Sequence, residues 1–152
     1  MAKHTQSFRV QELEVKFKPG RKATNLEKAN SPEDIHKLLK PLIINQPREQ
    51  LFCLSITSAG VVGLEVVSKG ASNCALSIVA EILKAPIITN ASDFIVAHNH
   101  PSGVVEPSEE DRKAAKLLKD GAKIMGMNML DFLIVTSETF YSFARTGELK
   151  GS

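Results

Sequence analysis

Asp93-Phe94-Ile95-Val96-Ala97-His98-Asn99-His100-Pro101-Ser102-Gly103, followed after Val104-Val105-Glu106 by Pro107-Ser108-Glu109-Glu110-Asp111, organises the whole chain. The apolar run Asp93 to Ala97 predicts a strand that delivers the chain directly into His98. Residues two apart on an extended chain point to the same side, so His98 and His100 can address one point at the strand end. Ser108 caps a helix carrying Ala114, Ala115, Leu117 and Leu118, and Asp111, three residues on, belongs to its first turn. Neutral imidazoles are good zinc ligands and a carboxylate supplies a third. Water in the fourth position would make this the open arrangement of a catalytic site. A blander reading stands beside it: Ser108-Glu109-Glu110-Asp111 resembles a capping box, with Asp111 reaching back to the Ser108 amide and both imidazoles exposed in a polar loop.

Working outward, Ser31-Pro32-Glu33-Asp34 is a helix start with a capping serine, proline at the first position and acids at the positive end of the dipole. Ile35, Leu38, Leu39 and Leu42 give this helix one apolar face, and Pro41 should distort or end it. Leu51 to Ile56 reads as a buried strand. Ser58-Ala59-Gly60 turns the chain, and Val61 to Val67 returns as the other arm of a hairpin. Asn73 opens a second helix through Leu83, with Leu76, Val79, Ala80 and Leu83 at helical spacing, closed before Pro86. Gly126 stops the helix that follows Ser108. Leu130 to Thr136 and Phe140 to Ala144 read as further strands. The first thirty residues are polar and basic: Val10 to Phe17 allows a short strand, and Pro19 to Asn30 reads as a linker. Strands and helices mix around a hairpin, so the fold class is α/β or α+β with a mixed, mostly antiparallel sheet.

With 152 residues, 43% of them hydrophobic, the chain can build one core without disulfides. A net charge of +2 is too near balance to declare a nucleic-acid or membrane protein. No apolar run reaches the roughly 18 to 20 residues of a transmembrane helix, and MAKHTQSFRV lacks a signal-peptide core. Two cysteines suit a reducing cytoplasm, the expected location. Cys53 reads as buried and inert and Cys74 as a helix-start residue, structural first. Met125, Met127 and Met129 read as packing, and His4 and His36 as ordinary packing or surface histidines. Lys16, Lys18, Arg21 and Lys22 could touch phosphates, though a solvated basic tail is the commoner outcome.

The pattern His98-x-His100-Pro101-Ser102-Gly103-x4-Ser108-x2-Asp111 resembles the JAMM (MPN-plus) zinc metalloprotease motif, and its HNHPSG spelling and Pro107-Ser108 pair resemble the bacterial RadC branch. The resemblance covers roughly residues 30 to 147, including Asn90-Ala91, Leu130-Asp131 and Phe140-Tyr141-Ser142. It implies a cytidine-deaminase-like JAB/MPN fold over residues 31–147, with a basic arm at 1–30 and a tail at 148–152. It also implies a Zn2+ ion on His98, His100 and Asp111, an oxyanion-stabilising Ser108, and an upstream glutamate as general acid/base. Glu49, just before the Leu51 strand, matches that glutamate best. Glu81 competes, because RadC sequences carry an Arg-Glu pair in the second helix; its plainer reading is the polar face of that helix.

The chemistry implied is amide hydrolysis of a peptide or isopeptide-like bond. Zinc lowers the pKa of bound water from about 15.7 toward about 7, Glu49 moves the proton, and Ser108 donates to the oxyanion. The chain departs from the family at three places: Val104-Val105 stands where an acid usually follows the glycine, Ala115 where a threonine is usual, and Phe132 where Leu-Asp is often followed by histidine. The thirty residues before Ser31 are too few for the helix-hairpin-helix-like region of longer RadC proteins, which weakens a DNA role resting on it. A DNA-associated repair-accessory module using the basic arm, and a catalytically silent metal-binding scaffold, remain the alternative readings.

Overall fold

A computed structural model of the chain describes residues 31–67 and 75–150. The basic arm with its predicted strand and linker, Asn73 and Cys74 lie outside the described residues. The elements run α1 (Pro32–Ile43), β1 (Leu51–Thr57), β2 (Gly60–Val67), α2 (Ala75–Ile88), β3 (Asp93–Asn99), α3 (Glu109–Ile124), β4 (Asn128–Val135), β5 (Phe140–Ser142) and α4 (Phe143–Thr146). One five-stranded sheet has the order β2-β1-β3-β4-β5. Its pairings are antiparallel except β3 with β4, which run parallel and are joined by the α3 crossover. The mixed α+β class, with a mostly antiparallel sheet flanked by helices, is as expected from the sequence.

Strand periodicity sorts the apolar residues into two cores. Phe52, Leu54, Ile95, Ala97, Leu133 and Val135 pack on one face with Ile35, Leu39 and Ile43 of α1. Cys53, Phe94, Val96, Phe132 and Ile134 pack on the other with Ile82 and Leu83 of α2 and Ala115, Leu118 and Ala122 of α3. Each central strand is buried on both faces and reads as a continuous apolar run. At Gly121 an added Cβ would meet Val79 Cγ1 at 2.8 Å, so glycine lets α2 and α3 approach closely. Among the described residues no helix is long and apolar enough to cross a membrane.

Several local expectations need correcting. Pro41 does not end α1, which continues to Ile43, and Pro86 lies inside α2, which continues to Ile88. Each proline sits in the last turn, where the helix loses one amide while the following residues still bond backward: Ile44 N–H donates to Lys40 O, and Thr89 N–H to Ala85 O. The buried stripe of α1 is Ile35, Leu39 and Ile43, whereas Leu42 is 41% exposed. Ala80 of α2 is likewise exposed. Phe140 to Ala144 is not one strand. Pairing stops at Ser142, whose hydroxyl accepts from the Arg145 amide and caps α4, and Gly147 at φ 86° ends that turn. Met125, expected to pack, is exposed, whereas Cys53 and Met129 are buried as expected.

Candidate metal centre

The site forms where β1 begins and β3 ends, beneath the N-terminus of α3. His98 extends the Phe94, Val96 face toward α2 and α3, and it lies directly opposite Leu51 in the antiparallel register. Two residues before Leu51, Glu49 falls on the same side, and two after His98 so does His100. These side chains, with Ser102, Ser108 and Asp111, enter a cleft of about 530 Å³ whose apolar wall includes Leu51, Ile78, Ala114, Leu118 and Phe132.

Both imidazoles are held from behind. His98 Nδ1 lies 2.9 Å from Asp111 Oδ1, and His100 Nδ1 lies 2.8 Å from the Val104 carbonyl oxygen. A carboxylate and a carbonyl can only accept, so each Nδ1 donates, and in a neutral ring Nε2 then presents a lone pair. The rings meet edge to face, with centroids 4.9 Å apart and planes at 84°. His98 Nε2 is buried, has no hydrogen-bond partner among the described residues, and lies 3.5 Å from Glu49 Oε2. Donor atoms of Glu49, His98 and His100 lie within 4.8 Å of one another, close enough to hold a metal ion.

Asp111 serves two elements at once. Its Oδ1 meets His98. Its Oδ2 accepts from the Ser108 amide at 2.8 Å and the Ser108 hydroxyl at 2.7 Å, and lies 3.5 Å from His100 Nε2. The Asp111 amide in turn donates to Ser108 Oγ at 3.1 Å, completing the capping box at the start of α3. The capping geometry and the convergence on the histidines therefore coexist. Burial alone would raise the Asp111 pKa, but hydrogen bonds from His98, the Ser108 hydroxyl and the Ser108 amide outweigh it and hold the carboxyl well below its usual range.

Glu81 stands on the exposed face of α2, 2.6 Å from Lys84 Nζ, and does not line the cleft. The three family departures each have a defined place in the fold. Val104 supplies a backbone carbonyl to His100, Ala115 is buried in the core, and Phe132 packs edge-on against Phe143 at 5.1 Å. The Val104 carbonyl is a site group that side-chain reasoning missed, because backbone acceptors leave no residue-type signal.

The profile of the RadC-like JAB domain matches residues 29–148. This chain belongs to that family. Curated relatives of the RadC-like JAB chain include UPF0758 proteins of Pseudomonas fluorescens, 35% identical over 78% of this chain and 54% of the relative, and of Thermotoga maritima, 33% identical over 81% and 55%. A third, from Chlorobium chlorochromatii, is 36% identical over 82% and 56%. The chain thus spans about half the length of the curated relatives it matches. The five-stranded sheet and its flanking helices are consistent with a JAB/MPN-like fold.

Proposed function

We propose that this RadC-like JAB domain is a zinc-dependent hydrolase of peptide or isopeptide-like amides. The observation that carries the reading is the buried His98 Nε2, which lacks a hydrogen-bond partner among the described residues and is aimed where the donor atoms of His100 and Glu49 converge. A buried imidazole nitrogen left unpaired costs free energy, and a cation is the partner this donor set suits. His98, His100 and Asp111 would hold the ion; Asp111 Oδ2 stands 3.5 Å from His100 Nε2. Two imidazoles and a carboxylate are the chemistry of a catalytic zinc site with an open position.

Bound zinc would supply Lewis acidity, polarising an amide carbonyl and lowering the pKa of a ligated water toward about 7. The protein's own groups would do the rest. Glu49, at the mouth with its side chain half exposed, takes a proton from the attacking water and delivers it to the leaving amine. Ser108, fixed at the start of α3, donates to the developing oxyanion on turning from Asp111 Oδ2. The apolar wall of the cleft excludes water beside the reacting amide and favours a substrate with an apolar residue flanking it.

Metal analysis of purified protein, followed by zinc reconstitution and mass spectrometry of a random peptide library, tests this reading. We expect one zinc per chain and zinc-dependent cleavage, with Glu49→Gln keeping the metal and losing turnover by at least about a hundredfold. Failure to take up zinc on reconstitution would end the proposal.

A further inference from the structure

Between the two histidines, Asn99 points the other way. It continues the Ile95, Ala97 face toward α1 and is 2% exposed. Its backbone amide donates to Gln50 O at 3.2 Å, which is half of the rung expected where an antiparallel pair extends one residue beyond Leu51 and His98. The reciprocal bond is not made to the Asn99 backbone. The Gln50 amide donates instead to Asn99 Oδ1 at 2.6 Å, and Asn99 Nδ2 donates to Arg48 O at 3.2 Å. The side-chain amide thus stands in for a peptide group and carries the ladder past the end of the strand. Its two partners are the backbone groups on either side of Glu49. They also fix the amide's orientation, since the N–H of Gln50 needs the oxygen and the carbonyl of Arg48 needs the nitrogen.

We propose that Asn99 is the positioning residue for Glu49: by clamping Arg48 and Gln50 from the α1 face, it holds the Glu49 carboxylate over the histidine pair on the opposite face. The inference rests on the hydrolase reading for its consequence but not for its geometry. Residues 44–49 are exposed, so little packing restrains them, and the clamp ties the backbone on both sides of Glu49 to the end of β3. Asparagine suits the role because it presents a donor and an acceptor side by side on a short stem. Alanine offers neither, and aspartate replaces the donor by an oxygen that opposes the Arg48 carbonyl. The three residues His98-Asn99-His100 therefore alternate between the metal-facing side and the anchoring side.

The test uses the full chain loaded with zinc and compares Asn99→Ala, Asn99→Asp, Glu49→Gln and the double variant Asn99→Ala/Glu49→Gln. In Asn99→Ala, hydrogen exchange at the Gln50 amide should accelerate at least about tenfold while Leu54, inside β1, is unchanged. Zinc affinity should stay within about threefold, turnover of the peptide library should fall at least about tenfold, and the double variant should be no slower than Glu49→Gln alone. Asn99→Asp covers the case in which the alanine variant fails to fold. It should keep Gln50 protected, because the acceptor remains, yet turn over at least about threefold more slowly. Unchanged Gln50 exchange in Asn99→Ala overturns the clamp, as does full activity in Asn99→Asp. An additive loss in the double variant overturns the route through Glu49. If the zinc-loaded wild type cleaves nothing while Asn99→Ala still frees Gln50, the hydrolase reading falls and the anchor stands.

Discussion

Asp111 touches both histidines: its Oδ1 lies 2.9 Å from His98 Nδ1 and its Oδ2 lies 3.5 Å from His100 Nε2. A carboxylate so placed can orient the imidazoles from behind or join them on a cation, and the two roles differ in magnitude. Losing a group that only orients a ligand costs about 10- to 100-fold in metal affinity. With Asp111 as a ligand, Asp111→Ala should weaken zinc binding by more than about 100-fold while Glu49→Gln changes it by less than about threefold. Competition with a chromophoric chelator reads both constants. The opposite ranking would exchange the roles of the two acids.

Cys53 offers a check on the core beside the site. Burial, with the charge of Glu65 adding to it, pushes its thiol up to about 12. Reaction requires the thiolate, so in a Cys74→Ser background native protein should resist iodoacetamide at about pH 8.5, where a free thiol is half ionised. The same protein in concentrated urea should be modified at Cys53 fully. Labelling of the native form at the denatured rate would show that β1 opens freely.

What was legible in the sequence was what is local or strictly periodic. The Ser31 and Ser108 caps follow from residue type, and the alternation along β3 places His98 and His100 together. Pro41 and Pro86 do not end their helices because a proline's cost depends on its position within the turn, which the residue alone does not state. The meeting of Glu49 with His98 depends on the Leu51–His98 register, a pairing across 47 residues of chain that no short window contains. The end of β5 was invisible for a similar reason: the Ala144 amide and Ser142 hydroxyl are gathered by the Asp131 carboxylate of the neighbouring strand.

Glu33 and Arg145 tie the start of α1 to α4 by a two-pronged ion pair, with Nη1–Oε1 at 2.8 Å and Nη2–Oε2 at 2.9 Å. The Arg145 hydrogen bonds pull the Glu33 carboxyl from 4.5 down to about 2. A depressed acid contributes stability that is present above its unfolded pKa and lost as pH falls through the folded one. The stability gap between wild type and Arg145→Met should therefore be constant above pH 4.5 and close as pH falls from 4.5 toward about 2. Urea titrations across that range measure it. A gap as wide at the acid end as at neutral pH would contradict the ion pair, which is exposed and screened by salt.

Asp131 has the opposite sign. Burial raises its pKa above 3.8, against hydrogen bonds from the Ser142 hydroxyl at 2.5 Å, the Ala144 amide at 2.9 Å and the Phe132 amide at 2.8 Å. Removing the carboxyl strands these donors where strand β5 becomes helix α4, and each stranded buried donor costs about 1–3 kcal/mol. Asp131→Ala should lose at least ~2 kcal/mol of unfolding free energy and release the 140–147 segment to faster exchange first. The group is harder to ionise in the folded chain than in the unfolded one. Its contribution is therefore fully present below pH 3.8 and declines as pH rises through the raised value, so the penalty of Asp131→Ala should shrink with rising pH. Denaturant titrations at several pH values read that slope directly, and a penalty that grows with pH would mean that ionised Asp131 is favoured in the folded state.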